Sequence, residues 1–266
     1  MSRNTALENK HVVITGASSG IGRDMAVEVA KQGGIPILLA RREELIAVLA
    51  AEIKSEFGIN AFAFKLDVSD TQSVEKIFKE IYQIVGNVDV LINNAGFAKF
   101  VNSDVATNDE VRAMFDVNVL GLIACTNAVL PTMKANNQGQ IINVASIIGK
   151  IPTPKASAYA ATKHAVLGFT NALRMELMDT NVQITAINPG PVKTEFFELA
   201  DATGNYTKNV KKMMLDSKMV ARKTISTIGT KRRELNLPWW MGIGGKMYAI
   251  VPVVMERTLG KRMFMK

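Results

Sequence analysis

Six short apolar runs, at residues 11–15, 35–40, 61–66, 88–93, 140–145 and 183–187, alternate with segments long enough to form helices, among them 20–32, 42–57, 69–85 and 156–178. A strand that is apolar on both sides of its pleat needs cover on both faces. Apolar strands separated by helices therefore predict an α/β architecture, a doubly wound parallel sheet. Asp70 or Ser69 is placed to cap the third helix. No repeat or low-complexity linker interrupts the 266 residues. Residues 1–194 read as one core, 195–230 as a lid region of the same domain, and 231–266 as an edge strand with a C-terminal extension. The edge assignment rests on residues 231–238, which alternate weakly and end at Pro238.

Hydrophobic residues at 48% and charged residues at 21% exclude a disordered or collagen-like chain. The single cysteine, Cys125, excludes an intrachain disulfide. With only His11 and His164 beside it, no metal centre is expected. Residues 1–10 are polar and lack the apolar core of a secretory signal, so the expected compartment is the cytoplasm. No membrane span is expected either. The nearest approach, 237–255, is cut by Lys246 and contains Pro238 and Pro252. The net charge of +8 is concentrated late, where residues 208–266 hold 14 Lys and Arg against Asp216, Glu234 and Glu256. Such a surface suits an anionic membrane, an acidic carrier protein or a phosphorylated ligand, or is a solvated basic face.

Between the first strand and the first helix stands Thr15-Gly16-Ala17-Ser18-Ser19-Gly20-Ile21-Gly22. Glycines there permit a tight turn and the close approach of a pyrophosphate, and the helix start offers free N–H groups. A plain strand-to-helix turn would look similar, so position and company decide. Asn93-Asn94-Ala95-Gly96 follows the fourth strand, Asn118 lies between two valines, Ser146 ends the fifth strand, and Tyr159 and Lys163 stand four apart. Pro189-Gly190 follows the sixth strand, with Val192 and Thr194 beyond. Taken in this order and spacing, from about Lys10 to Thr194, the set resembles the short-chain dehydrogenase/reductase family. The resemblance implies a Rossmann fold and a nicotinamide dinucleotide cofactor. It thins after Thr194, where the Val-Asp-Gly-Gly ending common in bacterial members is missing.

An acidic residue closing the second strand would bond the ribose 2′-hydroxyl and repel a 2′-phosphate. Here the strand runs into Ala40-Arg41-Arg42. Planar guanidiniums pair well with phosphate, which points to NADP(H), with Arg41 the main ligand and Arg42 secondary. Two solvated arginines are the bland alternative, disfavoured because cations oppose the dipole at a helix start. By resemblance Asp67 contacts the adenine and Val68 flanks it, although a bare aspartate there also suits a helix cap. The cofactor set expected is Gly16, Ser18, Ser19, Gly20, Ile21, Gly22, Arg41, Arg42, Asp67, Val68, Asn94, Ala95, Gly96, Tyr159, Lys163, Pro189, Gly190, Val192 and Thr194.

Tyr159 and Lys163 share one helix face. A free tyrosine titrates near 10. The neighbouring ammonium, with the cationic nicotinamide when oxidised, is expected to favour the phenolate, so that Tyr159 exchanges a proton with a carbonyl or alcohol oxygen. The resemblance implies that Ser146 holds that oxygen, that Lys163 also binds the nicotinamide ribose, and that Asn118 anchors a water in a proton relay. The hydride belongs to the cofactor. Singly, each residue has a duller use as a cap, a core tyrosine or a surface cation. His164 points away around the helix and reads as packing or solvent. Cys125 reads as a small buried helix residue.

Phe196, Phe197, Leu199, Tyr206, Met213, Met214 and Leu215 read either as an apolar substrate wall or as ordinary helix core. The apolar stretch from Trp239 to Val254 reads chiefly as buried within the protein or a dimer; peripheral membrane contact stays open. The expected function is NADPH-dependent carbonyl reduction or alcohol oxidation on a small-molecule substrate. Two alternatives are a 3-oxoacyl-[acyl-carrier-protein] reductase and a non-catalytic NADPH-sensing protein. A sensor needs no proton donor, which argues against it. A homo-oligomer, dimer or tetramer, is expected, with no nucleic-acid partner.

Overall fold

A computed structural model describes residues 7–201 and 204–260. The first half alternates β1 (His11–Thr15), α1 (Gly20–Lys31), β2 (Ile35–Ala40), α2 (Glu43–Phe57), β3 (Phe62–Lys65), α3 (Thr71–Val85) and β4 (Val90–Asn93). Then come α4 (Asn108–Phe115), a π-helical turn (Asp116–Gly121), α5 (Leu122–Ala135), β5 (Gly139–Val144), a 3-10 turn (Ile147–Gly149), α6 (Ser157–Glu176) and β6 (Val182–Pro189). After β6 follow α7 (Phe196–Ala200), α8 (Asn205–Val210), α9 (Ser217–Ile225), β7 (Glu234–Leu237), α10 (Trp239–Ile250) and α11 (Pro252–Met255). Of the basic tail, Lys261, Arg262 and Lys266 lie outside the described residues.

All seven strands form one parallel sheet in the order β3-β2-β1-β4-β5-β6-β7. The continuous apolar character of the strands is explained by their two faces. Along β1, Val12 and Ile14 pack with Met25, Val29 and Ile225, whereas Val13 points the other way, toward Phe78, Val129 and Ile141. Residues two apart share a face, so every apolar position finds a helix. The edge strand reads as expected: β7 pairs with β6 from Ala186 opposite Glu234 to Pro189 opposite Leu237, and Pro238 ends it.

Local chemistry sets the boundaries. Of the two candidate caps for α3, Asp70 does the work, accepting from the Gln72 and Ser73 amides. Ser69 is occupied with Asp67, to which its amide and hydroxyl both donate. Among the described residues one continuous helix, Asn108–Ala135, is by length and composition apolar enough to cross a membrane. Its Cys125, Val129 and Met133 are buried against the sheet, so it serves as a core helix. For the C-terminal segment, burial within the chain itself reaches only Met241, Gly242 and Gly245 of α10, while Trp239, Trp240, Ile243, Met247 and Ile250 stand exposed.

The strand order reverses between β1 and β4, where the connections from their carboxyl ends diverge to opposite faces. Open α/β sheets bind their ligands at such a crevice.

Candidate active site

The glycine turn is held to the switch point by Thr15. Its buried hydroxyl accepts from the amides of Asn94 and Ala95, both at 2.9 Å, while Asn94 Nδ2 donates to the Thr15 carbonyl at 3.0 Å. Gly16 takes a left-handed φ of 66°, and a Cβ on Gly22 would lie 2.2 Å from the Gly16 carbonyl oxygen. Backbone thus meets backbone where the helix begins. Ser19, the N-cap of α1, makes no side-chain capping bond, leaving the first N–H groups of α1 facing the cleft. These features fit a bound pyrophosphate. Thr194 reaches back over the turn, 3.2 Å from where a Cβ on Gly20 would sit.

The two arginines flank this turn. Arg42 donates from Nε and Nη2 to the Ser18 hydroxyl at 3.2 and 3.1 Å, and Arg41 lies 3.9 Å from the Asp67 carboxylate. Glu43 and Glu44 open α2 directly after them, offsetting two cations at a helix start.

Across the cleft, Ser146 caps the 3-10 turn, its hydroxyl accepting from the Ile148 amide and donating to the Pro189 carbonyl. Tyr159 and Lys163 project from α6, and both are buried. The Lys163 ammonium donates to the Val144 carbonyl at 2.9 Å and sits 5.7 Å from the Tyr159 ring centre. In the chain alone, burial dominates the ionisation of both groups. Burial raises the Tyr159 hydroxyl well above the ordinary tyrosine value; a hydrogen bond to Ser146 pulls it back in part, and Tyr206 pushes it further up. Burial also lowers Lys163 to about 8. Desolvation penalises both charges.

Lys163 gives a testable pH dependence. Its folded value near 8 lies below its ordinary 10.5, so the unfolded chain holds the proton where the folded chain gives it up. Wild-type stability therefore rises with pH from 8 to 10.5. Lys163→Met is expected to stabilise the ligand-free protein by about 1–3 kcal/mol at pH 7. The gain should fade across that window when Tm is followed against pH. A gain that ignores pH would contradict a buried, desolvated ammonium.

Asn118 lies inside the π-helical turn, and its amide is fully engaged. It accepts from the Phe97 amide at 2.9 Å and donates to the Phe97 carbonyl and to Thr162 at 2.9 and 3.1 Å. The Thr162 hydroxyl donates to the Tyr159 carbonyl at 2.7 Å, so Asn118 clamps the segment after Asn94-Ala95-Gly96 onto the turn of α6 that carries Tyr159 and Lys163. Beneath it runs a buried amide chain. Asn93 donates to Thr126 and Asn143, and Asn143 donates to Thr170.

Gly16, Arg41, Arg42, Ser146, Tyr159 and Lys163 border one cavity of about 1370 Å³, whereas Asn118 and the amide chain beneath it lie behind its wall. Of the expected cofactor set, Gly22 alone does not line it; Gly22 packs behind Gly16. An apolar part of the cavity wall is built by Phe97, Ile148, Phe196, Phe197 and Met213. Phe100, which the sequence did not single out, organises this wall. It stacks on Tyr206 at 4.2 Å and meets Tyr159 edge-on at 5.9 Å. The two readings of the lid residues divide among them: Leu199 and Tyr206 line the cavity, whereas Leu215 pairs with Val192 and packs on the core. Trp240 and Met241 of α10 also reach the cavity, another feature no motif announced. His164 is exposed and Cys125 buried, as expected. Among the described residues no cluster of His, Cys, Asp or Glu could hold a metal.

Comparison with known proteins agrees with this geometry. A "NADP-dependent 3-hydroxy acid dehydrogenase" of Schizosaccharomyces pombe is 41% identical over 192 residues, 71% of this chain and 74% of the relative. A "Farnesol dehydrogenase" of Aedes aegypti is 32% identical, covering 84% of this chain and 91% of the relative. Among solved structures, an alcohol dehydrogenase from the archaeon Thermococcus sibiricus, complexed with 5-hydroxy-NADP, superposes with a TM-score of 0.77 at 29% identity, over 86% of this chain and 96% of that one. The family model for short chain dehydrogenases matches residues 10–204, and with most of its length so matched, the chain belongs to the short chain dehydrogenase family of oxidoreductases.

Proposed function

We propose that the protein uses NADP(H) to interconvert a carbonyl and an alcohol on an apolar substrate, in the cytoplasm. The observation that carries this reading is the convergence of Ser146, Tyr159 and Lys163 on the apolar half of a cavity whose other half is the glycine turn with Arg41 and Arg42. The NADP named for the fission-yeast relative and bound in the archaeal structure supports the cofactor. When bound, the nicotinamide supplies or accepts the hydride. The chain's own residues handle the proton and the oxygen. The Ser146 hydroxyl holds the substrate oxygen, and Tyr159, already neutral through burial, donates its proton to that oxygen in the reducing direction. Lys163, next to the ring, stabilises the phenolate left behind. Asn118 and Thr162 hold the helix turn that carries the tyrosine. The aromatic wall excludes water and selects an apolar substrate body.

A second reading, reduction of a 3-oxoacyl group on an acidic carrier protein, draws on Lys99, Lys155 and Lys208, which also line the cavity. Consumption of NADPH and NADH, followed by absorbance across a panel of apolar ketones, aldehydes and 3-oxoacyl thioesters, tests both. NADPH should be preferred, and Arg41→Ala should narrow that preference about tenfold to a hundredfold, the loss of one charge-assisted hydrogen bond. Equal wild-type affinity for NADPH and NADH would reject the cofactor assignment.

A further inference from the structure

The helix α10 is mounted with its small side in and its large side out. A Cβ on Gly242 would stand 2.6 Å from the Asn236 amide, and one on Gly245 would stand 2.9 Å from Lys150 Cβ. The backbone of α10 therefore lies directly on β7 and on the turn after β5. The surface beneath is satisfied without it, because Lys150 pairs with Glu234 and Asn236. This seating fixes the helix rotation. Trp239, Ile243, Met247 and Ile250 follow at helical spacing on the outer side, with exposures of 71%, 50%, 51% and 80%. Trp240, Val251, Val253 and Val254 extend the same exposed apolar surface toward α11. A helix that meets only water carries its polar residues on that side. An apolar surface of this extent marks a contact.

Charge and position identify the contact. From Trp239 to the end of the chain, Lys246, Arg257, Lys261, Arg262 and Lys266 face a single acid, Glu256. Lys246 and Arg257 are exposed beside the apolar surface. A second copy packed here about a two-fold axis would set the patch on itself and bring Lys246 and Arg257 of the two copies together. An anionic bilayer instead meets both features at once: hydrocarbon for the outer face and phosphate for the cations. Twelve residues of α10 extend about 18 Å, short of a bilayer's roughly 30 Å core, so the helix lies in the interface and does not cross it. Neighbouring tryptophans suit that depth.

The geometry points to peripheral docking of the α10–α11 face on an anionic lipid surface. Trp240 and Met241 border the active-site cavity from the same helix, so docking brings the cavity beside the lipid. The inference stands apart from the activity proposed above.

The chain's two tryptophans are Trp239 and Trp240, so tryptophan emission reports on α10 alone. The full chain is mixed with vesicles of equal parts phosphatidylglycerol and phosphatidylcholine, or of phosphatidylcholine alone, with brominated acyl chains as quencher. Emission should shift to the blue and be quenched on the anionic vesicles. Affinity should be about tenfold or more weaker for the neutral vesicles and should fall with added salt. The double variant Ile243→Glu, Ile250→Glu should lose vesicle binding while its circular dichroism melt is unchanged, since both residues are exposed in the free chain. Absence of quenching on the anionic vesicles overturns the inference. If light scattering then shows a dimer that the double variant dissociates, the face belongs to a second copy of this chain.

Discussion

Tyr159→Phe is expected to lower turnover by about 10²–10⁴-fold while leaving dinucleotide affinity within about twofold. The phenyl ring keeps its place in the wall, edge-on to Phe100 and tilted against Phe196 at 5.9 Å. Only the hydroxyl is lost, and with it the proton that the proposed function has Tyr159 deliver to the substrate oxygen. Because burial already holds that hydroxyl neutral, the variant removes no charge from the ligand-free site. Stability should therefore change little, separating a chemical defect from a folding defect. Steady-state kinetics on any accepted carbonyl, with NADPH affinity by calorimetry, makes the comparison. Turnover close to wild type would show that another group delivers the proton.

The second large effect belongs to a residue with no side chain. Gly22→Ala is expected to destabilise the protein by about 1–3 kcal/mol and to weaken dinucleotide binding at least about tenfold. The added methyl would overlap the Gly16 carbonyl and approach Asn94 Nδ2 at 2.6 Å, so α1 must move away from the turn it opens. Gly168→Ala is the control. That residue is exposed on α6 with nothing within 4 Å of a new Cβ, so alanine should stabilise by about 0.5–1 kcal/mol through helix propensity alone. Denaturant melts of both variants, with NADPH titrations, check the pair. Equal stability of the two would mean that the contact between α1 and the glycine turn is looser than the structure has it.

What the sequence disclosed follows from the range of the interactions involved. The six core strands, the glycine turn, and the Tyr159–Lys163 pair on one helix face all rest on periodicity or short spacing, and each was legible. Asp70 as a cap was legible only as one of two, because the choice depends on Ser69 having turned to Asp67. Phe100 was not legible. It is one phenylalanine among eleven, and its importance comes from Tyr206 arriving from a helix more than a hundred residues later. Asn118 was visible as a motif residue, but the π-helical turn that aims its amide at Phe97 and Thr162 has no local signature. Burial of the acid–base pair was not legible either: spacing places an ammonium beside a phenol, but burial shifts the titration of both. The outward mounting of α10 was hidden because glycines at 242 and 245 look like helix breakers until β7 and Lys150 are seen beneath them.

The hydrogen bonds from Asn94 and Ala95 to Thr15 join positions 79 and 80 residues apart. During synthesis the glycine turn leaves the ribosome well before the segment that will hold it. By then β1 and β2 can pair, but the fourth strand must still insert on the other side of β1. Closing so long a loop delays the pairing, since non-local contacts repay their entropy only after closure. A nascent chain that ends before residue 95 thus carries the whole phosphate-binding sequence without a cradle. Dinucleotide would stabilise only chains in which β1 and β4 have met. Added during refolding, it should act on the late steps and leave the early ones untouched.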